Sequence, residues 1–388
     1  MPHDQPAIMG AAELAPGRKV PYSSTELHVQ AAVRALADAG LAPDEVEGLV
    51  CAGPMTNEGS IFLSEDLMDY LGLTNLKFQM TCQLGGGTHL GMSRLASRIV
   101  AAGEAETVLV VSAGKFPTIR DGGRDLMSLV SQREFEMPYG PSVPTLYGLI
   151  AQAWMHETGQ GKADIAEVSA SQDKWAALNP TAIAYGDKRI TVADVMESRP
   201  IAGPFNFYHC SIPCEGGGAL VIGSAERARR GPHRPIHLLG FGEGHTHGFL
   251  TSMTRPGTTG ASISGPMAFE RAGRTPADVD ICELYDAFAS NPAMILEESG
   301  FVSPGTVGDF YRSGRADPGG DLPVNTNGGL IRFGHTGTSS GISQILEAYW
   351  QLSGRAEGRQ VTGADTAFVH TYGSMLCSHI SVVLEGAA

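Results

Sequence analysis

Residues 327–343, NGGLIRFGHTGTSSGIS, place one histidine, His335, among glycines and hydroxyls just ahead of a helical pattern. An imidazole so placed is suited to moving a proton. The same stretch contains G-T-S-S-G, a formal match to the serine-hydrolase elbow G-x-S-x-G centred on Ser339. A second reactive group in a comparable setting is Cys82, which precedes L-G-G-G and an amphipathic helix. A thiol at a helix N-terminus is favoured as thiolate by the helix dipole and the unpaired N–H groups. Glycines behind it leave amides free to hold an oxyanion. The bland alternative is a small buried cysteine and a capping histidine.

What would bring Cys82 and His335 together is a repeat. Residues 35–46, ALADAGLAPDEV, resemble residues 268–279, AFERAGRTPADV. Both read as a helix ended by Ala-Gly, then Pro, an acidic residue, Val and a strand, EGLVCAG or DICELYDAF. Downstream, residues 81–114 and 334–373 each give a Gly/hydroxyl-rich loop, an amphipathic helix, a polar turn and a β-branched strand. Two matched pairs in one order indicate a duplicated α/β core, with Cys82 and His335 at corresponding places. The first half is expected over 1–225, carrying a loop-rich insertion at about 115–200 with a helix near 145–158. The second half is expected over 230–388. Residues 209–224, HCSIPCEGGGALVIGS, are predicted to be the strand that closes the first half.

Bulk properties narrow the partners. At 388 residues the chain exceeds one ordinary core. Its net charge of −14 is broken by no basic stretch, which argues against nucleic acid. Apolar runs are strand-sized, so no membrane span is expected. The N-terminal MPHDQPAIMG lacks a signal layout, and six scattered cysteines then read as free thiols in a reducing cytoplasm.

Taken together, Cys82 in its Gly-rich setting, E-L-Y-D-A-F-A at 283–289, N-G-G…G-H at 327–335 and Gly373 resemble the thiolase superfamily over nearly the whole chain. Within it the likeness is to sterol-carrier-protein-type thiolases and bacterial thiolase-like proteins. The resemblance implies an α/β, thiolase-like fold: two duplicated halves in a five-layer αβαβα core with a loop-domain insertion, usually a homodimer. It implies acyl-CoA chemistry through an acyl-cysteine, coenzyme A as substrate and no tightly bound cofactor. It assigns nucleophile to Cys82, base and oxyanion support to His335, and an oxyanion hole to the amides of Cys82 and Gly373. The hydrolase reading of Ser339 loses, because Asp365 and His370 complete its order but leave His335 unexplained.

The family's second acid/base departs from pattern. The expected C-x-G cysteine is replaced in H-T-Y-G, with Tyr372 before Gly373, and the expected H-D-C-F is here Y-D-A-F, with Tyr285 and Ala287. Tyr285 becomes the candidate oxyanion donor or general acid, Tyr372 a weaker one, and Glu283 or Asp286 its orienting neighbour. Cys377 reads as packing. Relatives with Y-D here resemble steroid side-chain retro-aldolases that handle protons with tyrosines, or acyltransferases that move an acetyl group between aromatic polyketides without CoA. Keeping both Cys82 and His335 favours acyl transfer, with the retro-aldolase as the alternative. Such relatives often work with a small OB-fold, zinc-ribbon partner, and a non-catalytic scaffold is the remaining alternative. Trp175, Asn179, Tyr372 and Gly334 are the expected substrate contacts, and Lys115, Arg120 and Arg124 the candidates for the CoA phosphates. H-T-H at 245–247 lacks a third ligand, so no metal is expected.

Overall fold

The computed structural model describes residues 5–53, 60–116, 127–128 and 130–387, apart from the side chain of Thr338. Arg120 and Arg124 therefore lie outside the described residues. The first half runs β1 (Ala7–Gly17), α1 (Ser24–Ala39), β2 (Gly48–Ala52), α2 (Leu63–Leu71), β3 (Phe78–Cys82), α3 (Thr88–Ala101) and β4 (Thr107–Lys115). The insertion carries α4 (Val143–Thr158), α5 (Lys162–Ala176) and α6 (Val192–Glu197), then the short pair β5 (Pro200–Ala202) and β6 (Phe205–Asn206). β7 (Glu215–Gly223) and α7 (Ala225–Arg229) lead to β8 (Ile236–His245), α8 (Ala261–Ala272) and β9 (Ile281–Leu284). Then come α9 (Ser290–Glu298), α10 (Val307–Arg312), α11 (Gly329–Arg332), α12 (Ile342–Leu352), β10 (Thr366–Gly373) and β11 (Ser378–Gly386).

The repeat is plain in the backbone. α1 and α8 both end on a left-handed glycine, Gly40 at φ 67° and Gly273 at φ 64°. A β-carbon disfavours that conformation, so glycine is the residue that stops both helices there. Each is followed by a short 3-10 turn, Pro43–Glu45 or Pro276–Asp278. The strands form one sheet ordered β3-β2-β4-β7-β1-β8-β11-β10-β9. Read outward from the β1–β8 seam, β1-β7-β4-β2 corresponds to β8-β11-β10-β9. The seam is thin: Ala7 pairs with His237 and Ile8 with Ile236.

Packing turns this sheet into layers. α1 and α2 bury Leu27, Ala31, Ala35, Leu63 and Leu67 on one face of the first half. α3 and α12 lie between the halves, where Leu90, Met92, Ile345 and Tyr349 join one cluster with strands of both. α8 and α9 cover the outer face of the second half through Phe269 and Met294, with Phe269 stacked on Phe368 of β10, and the insertion helices α4 and α5 pack into the same cluster. The result is α–β–α–β–α, the expected five layers.

Two expectations fail locally. The strand predicted over 209–224 covers only Glu215–Gly223. Residues 210–214 instead cross to the second half, where Ser211 N–H donates to the Ala287 carbonyl and Ile212 N–H to that of Leu330. Their apolar and cysteine content mimics a strand, but their backbone groups are taken by loops of the other half. The second correction concerns Cys82, which is the last residue of β3, in register with Ala52, while α3 begins at Thr88.

Candidate active site

The second half builds its site from two segments held by residues 210–214. Leaving β9, Tyr285 donates its N–H to the His370 carbonyl at 2.9 Å. His335 donates its N–H to Ile212 at 2.8 Å, and its carbonyl accepts from Cys214 N–H at 3.0 Å. The Asp286 carboxylate accepts the N–H groups of Leu330 (2.7 Å) and Ile331 (3.2 Å), fixing the start of α11 against the Tyr285 segment. Burial raises Asp286 to about 7 against those donors. Glu283 turns the other way, accepting from Thr326. Neither acid touches the Tyr285 hydroxyl; Asp286 braces its segment through the backbone of α11, and the hydroxyl itself is held by other residues.

Those residues are His335 and Ser340. Gly337 N–H donates to His335 Nδ1 at 3.2 Å, so the neutral ring carries its proton on Nε2. Nε2–H donates to the Tyr285 hydroxyl at 3.0 Å, which donates to Ser340 Oγ at 2.9 Å, which donates to the Gly337 carbonyl at 2.6 Å. Every proton in this chain has one direction. Burial lowers His335 to about 4 and keeps it neutral. Burial also pushes the Tyr285 hydroxyl up, so it stays protonated. The arrangement is a relay: His335 points its hydrogen at the Tyr285 oxygen, and Tyr285 points its own at Ser340. Phe116 closes one side, edge-on to His335 at 5.1 Å between centroids.

Tyr372 completes the wall, its ring 4.7 Å from that of Tyr285. It is 1% exposed, and its hydroxyl has no hydrogen-bond partner among the described residues. The Gly-rich loop of the first half faces these rings: a β-carbon on Gly86 would lie 2.5 Å from the Tyr285 ring and 2.6 Å from the Tyr372 carbonyl. No side chain fits there, which accounts for the glycine.

Cys82 is placed differently from its expectation. Its carbonyl accepts from Gly53 N–H at 3.2 Å within the strand edge. The half-buried thiol is raised by desolvation, not lowered by a helix terminus. Gly373 faces Leu84 and Gly85: a β-carbon on it would collide with the Leu84 carbonyl at 1.7 Å. Among the described residues no hydrogen bond joins Cys82 to His335, whose Nε2 is committed to Tyr285.

The remaining candidates separate. Asn179 donates to the Asn327 carbonyl at 3.0 Å and accepts from Thr181, bracing the N-G-G turn. Gly334 backs onto the Cys214 thiol, 2.7 Å from where a β-carbon would stand. Trp175 donates to the Ala316 carbonyl and lines a separate cavity of 340 Å³ with Pro318, Pro323 and Arg359. Ser339 is buried in a 3-10 turn, Gly337–Gly341, with no strand before it, so the hydrolase elbow is absent. His245 pairs with Glu243 and Ser378, and His247 with the Met375 carbonyl. Sequence reasoning missed Ser340, Phe116 and the 210–214 segment. Only Ser340 carried a signal, through its closeness to His335.

A family model described as thiolase C-terminal domain-like matches residues 242–386. A steroid side-chain-cleaving aldolase of Thermomonospora curvata is 32% identical over 84% of this chain and 85% of its own. The chain belongs to the thiolase superfamily. A sterol carrier protein 2 of Oryctolagus cuniculus is 26% identical over 92% of this chain and 67% of its own. An acetyl-CoA acetyltransferase of Methanothermobacter thermautotrophicus is also similar, 29% identical over 95% of this chain and 96% of its own. Among solved structures, an Ltp2-ChsH2(DUF35) aldolase matches with a TM-score of 0.85 and 26% identity, over 99% of this chain and 98% of that one. This thiolase-like chain is an enzyme on those relations. Its described helices include none long and apolar enough to cross a membrane.

Proposed function

We propose that this enzyme makes or breaks the carbon–carbon bond next to a CoA thioester by tyrosine proton chemistry, as a retro-aldolase of β-hydroxyacyl-CoA. One observation carries the reading: His335 Nε2–H is directed at the Tyr285 hydroxyl, with Ser340 beyond it. A thioester oxygen that takes the place of Ser340 Oγ as acceptor receives the Tyr285 hydrogen, made more acidic by His335 Nε2–H on the same hydroxyl, and the enolate that forms as the bond breaks is stabilised. The Cα–Cβ electron pair moves to the α-carbon, and the β-carbon becomes a carbonyl. Tyr372 takes the β-hydroxyl proton while giving its own to the α-carbon, so no tyrosine ionises. That suits hydroxyls whose ionisation burial opposes.

Coenzyme A is then substrate, carried through attached to the acyl group. The second reading, acyl transfer through Cys82, is favoured by the similar acetyltransferase and by the half-buried, reachable thiol. We place the enzyme in the cytoplasm, a reading supported by cysteines that are all free. We further assign it a homodimer through the edge strand β3, where Met80 is 42% and nearby Tyr70 68% exposed. A small OB-fold, zinc-ribbon subunit is the proposed partner, supported by the DUF35 component of the similar aldolase.

The test is incubation with acyl-CoAs and β-hydroxyacyl-CoAs, following cleavage products and intact mass. Tyr285→Phe is expected to remove cleavage by about 10³-fold while Cys82→Ala stays within about threefold of wild type. An acyl adduct that vanishes in Cys82→Ala, with activity lost alongside it, overturns the retro-aldol route in favour of the acyl-cysteine.

A further inference from the structure

The turn between β10 and β11 follows directly on Tyr372 and Gly373. It contains two non-glycine residues in the left-handed region, Ser374 at φ 51° and Leu376 at φ 57°. Side chains resist that conformation, and residues held in it mark places where the surroundings enforce the backbone. Here the enforcement runs carbonyl by carbonyl. The Gly373 carbonyl accepts from Cys377 N–H at 3.2 Å. The Ser374 carbonyl accepts from the Tyr147 hydroxyl, that of Met375 from His247 Nε2–H at 2.9 Å, and that of Leu376 from His379 Nε2–H at 2.9 Å. The Cys377 carbonyl accepts from Thr246 N–H at 3.2 Å.

The donors come from separate parts of the molecule. Tyr147 belongs to α4 of the insertion, His247 follows β8, and His379 lies on β11 opposite Tyr372. A carbonyl can only accept, so the proton of His379 is fixed on Nε2. Its Nδ1 then accepts from His370 Nε2–H at 3.2 Å, which locks the second ring as well. The Tyr147 ring lies 4.8 Å from Phe288 and 6.1 Å from Tyr372, so the same side chain that holds the turn also borders the site.

A hairpin needs no such set of donors merely to close, since glycine or asparagine in the turn would suffice. We infer that Tyr147, His247 and His379 are positioning residues that clamp the 374–377 turn and thereby set Tyr372 and Gly373 against the Tyr285–His335 pair. The inference rests on the retro-aldol reading for its consequence in catalysis. The clamp itself does not depend on it.

Both parts are tested with full-length Tyr147→Phe, His247→Leu and His247→Gln, the last keeping a side-chain donor. Hydrogen exchange of the peptide spanning 373–377 is expected to quicken about tenfold or more in Tyr147→Phe and His247→Leu, and to stay near wild type in His247→Gln. Cleavage of a β-hydroxyacyl-CoA is expected to lose about tenfold in kcat with KM within about twofold for the first two variants. Unchanged exchange in both variants overturns the clamp, and faster exchange with kcat intact overturns its role in positioning. If Tyr147→Phe exchanges faster everywhere, the pair of His247 variants decides. A wild type inactive on every thioester sinks the assigned reaction instead, and exchange still judges the clamp.

Discussion

The two halves differ most where a strand hands over to the helix at the centre of the molecule. In the first half that connection is short, residues 83–87, and passes from β3 straight into α3. In the second half the counterpart of β3 is a lone bridge between Val324 and Cys282, and residues 325–341 separate it from α12. His335 lies well along this longer connection, so it does not occupy the place that corresponds to Cys82. The short connection supplies glycines that let another half approach, while the long one supplies the histidine and serine that direct protons. Duplication provides two similar frames, and the chemistry gathers where one frame has room for a loop.

If that division is real, damage to the long connection should far exceed damage to the short one. His335→Ala removes the hydrogen aimed at Tyr285 and is expected to lower kcat by about 10²-fold or more, against about threefold or less for Cys82→Ala. Steady-state kinetics on the same thioester measures both, and comparable losses would erase the contrast. Ser340→Ala should come next. It leaves Tyr285 bonded to His335 but frees its proton to wander, at a cost of about 1–2 kcal/mol or roughly tenfold in kcat.

Much of this frame is readable from sequence, because helix stops and β-branched strands are local signals. ALADAGLAPDEV and AFERAGRTPADV announce both the repeat and the left-handed Gly40 and Gly273 that end α1 and α8. Tyr285 and His335 were also legible, through the motifs that hold them. Their bond was not, since it depends on residues 210–214 crossing from the other half. Cys82 misled for a related reason. Q-L-G-G-G before Thr88 looks like the start of a helix, yet β3 pairs with β2 through Cys82 and the glycines then form a loop. Direction was the other hidden quantity: Glu283 and Asp286 flank Tyr285 in sequence, but the backbone donors that claim them lie elsewhere.

The pH response gives a finer version of the contrast. His335 is held down to about 4 by burial, below its ordinary 6.5. Protonation would place a hydrogen on Nδ1 facing Gly337 N–H and break the chain at its first link. Activity in the free enzyme is therefore expected to fall as pH drops through about 4 and to be flat across the usual histidine range. The unfolded chain takes up this proton near 6.5, so folding is weakened as pH falls from there to about 4. His335→Gln should lose less stability across that window. A kcat/KM profile with an inflection near 6.5 would show a ring open to water.

The smallest effect is expected at the contact between the halves rather than in either loop. Glu13 on β1 accepts from the Ser343 hydroxyl on α12 at 2.5 Å. Burial raises it from 4.5 to about 8, with the nearby Glu347 adding to the shift. A carboxyl raised in the folded state is neutral there while the unfolded chain is already ionised, so stability is lost as pH climbs from 4.5 to about 8. Glu13→Gln keeps the shape and an acceptor for Ser343 without the ionisation. Its Tm should therefore drop less than wild type between pH 6 and 8.5, by roughly 2–4 °C, in thermal melts. Parallel melts would mean that Glu13 is already ionised in the folded state. The contact would then be held by charge, through Arg359 behind Glu347, rather than by a shared proton.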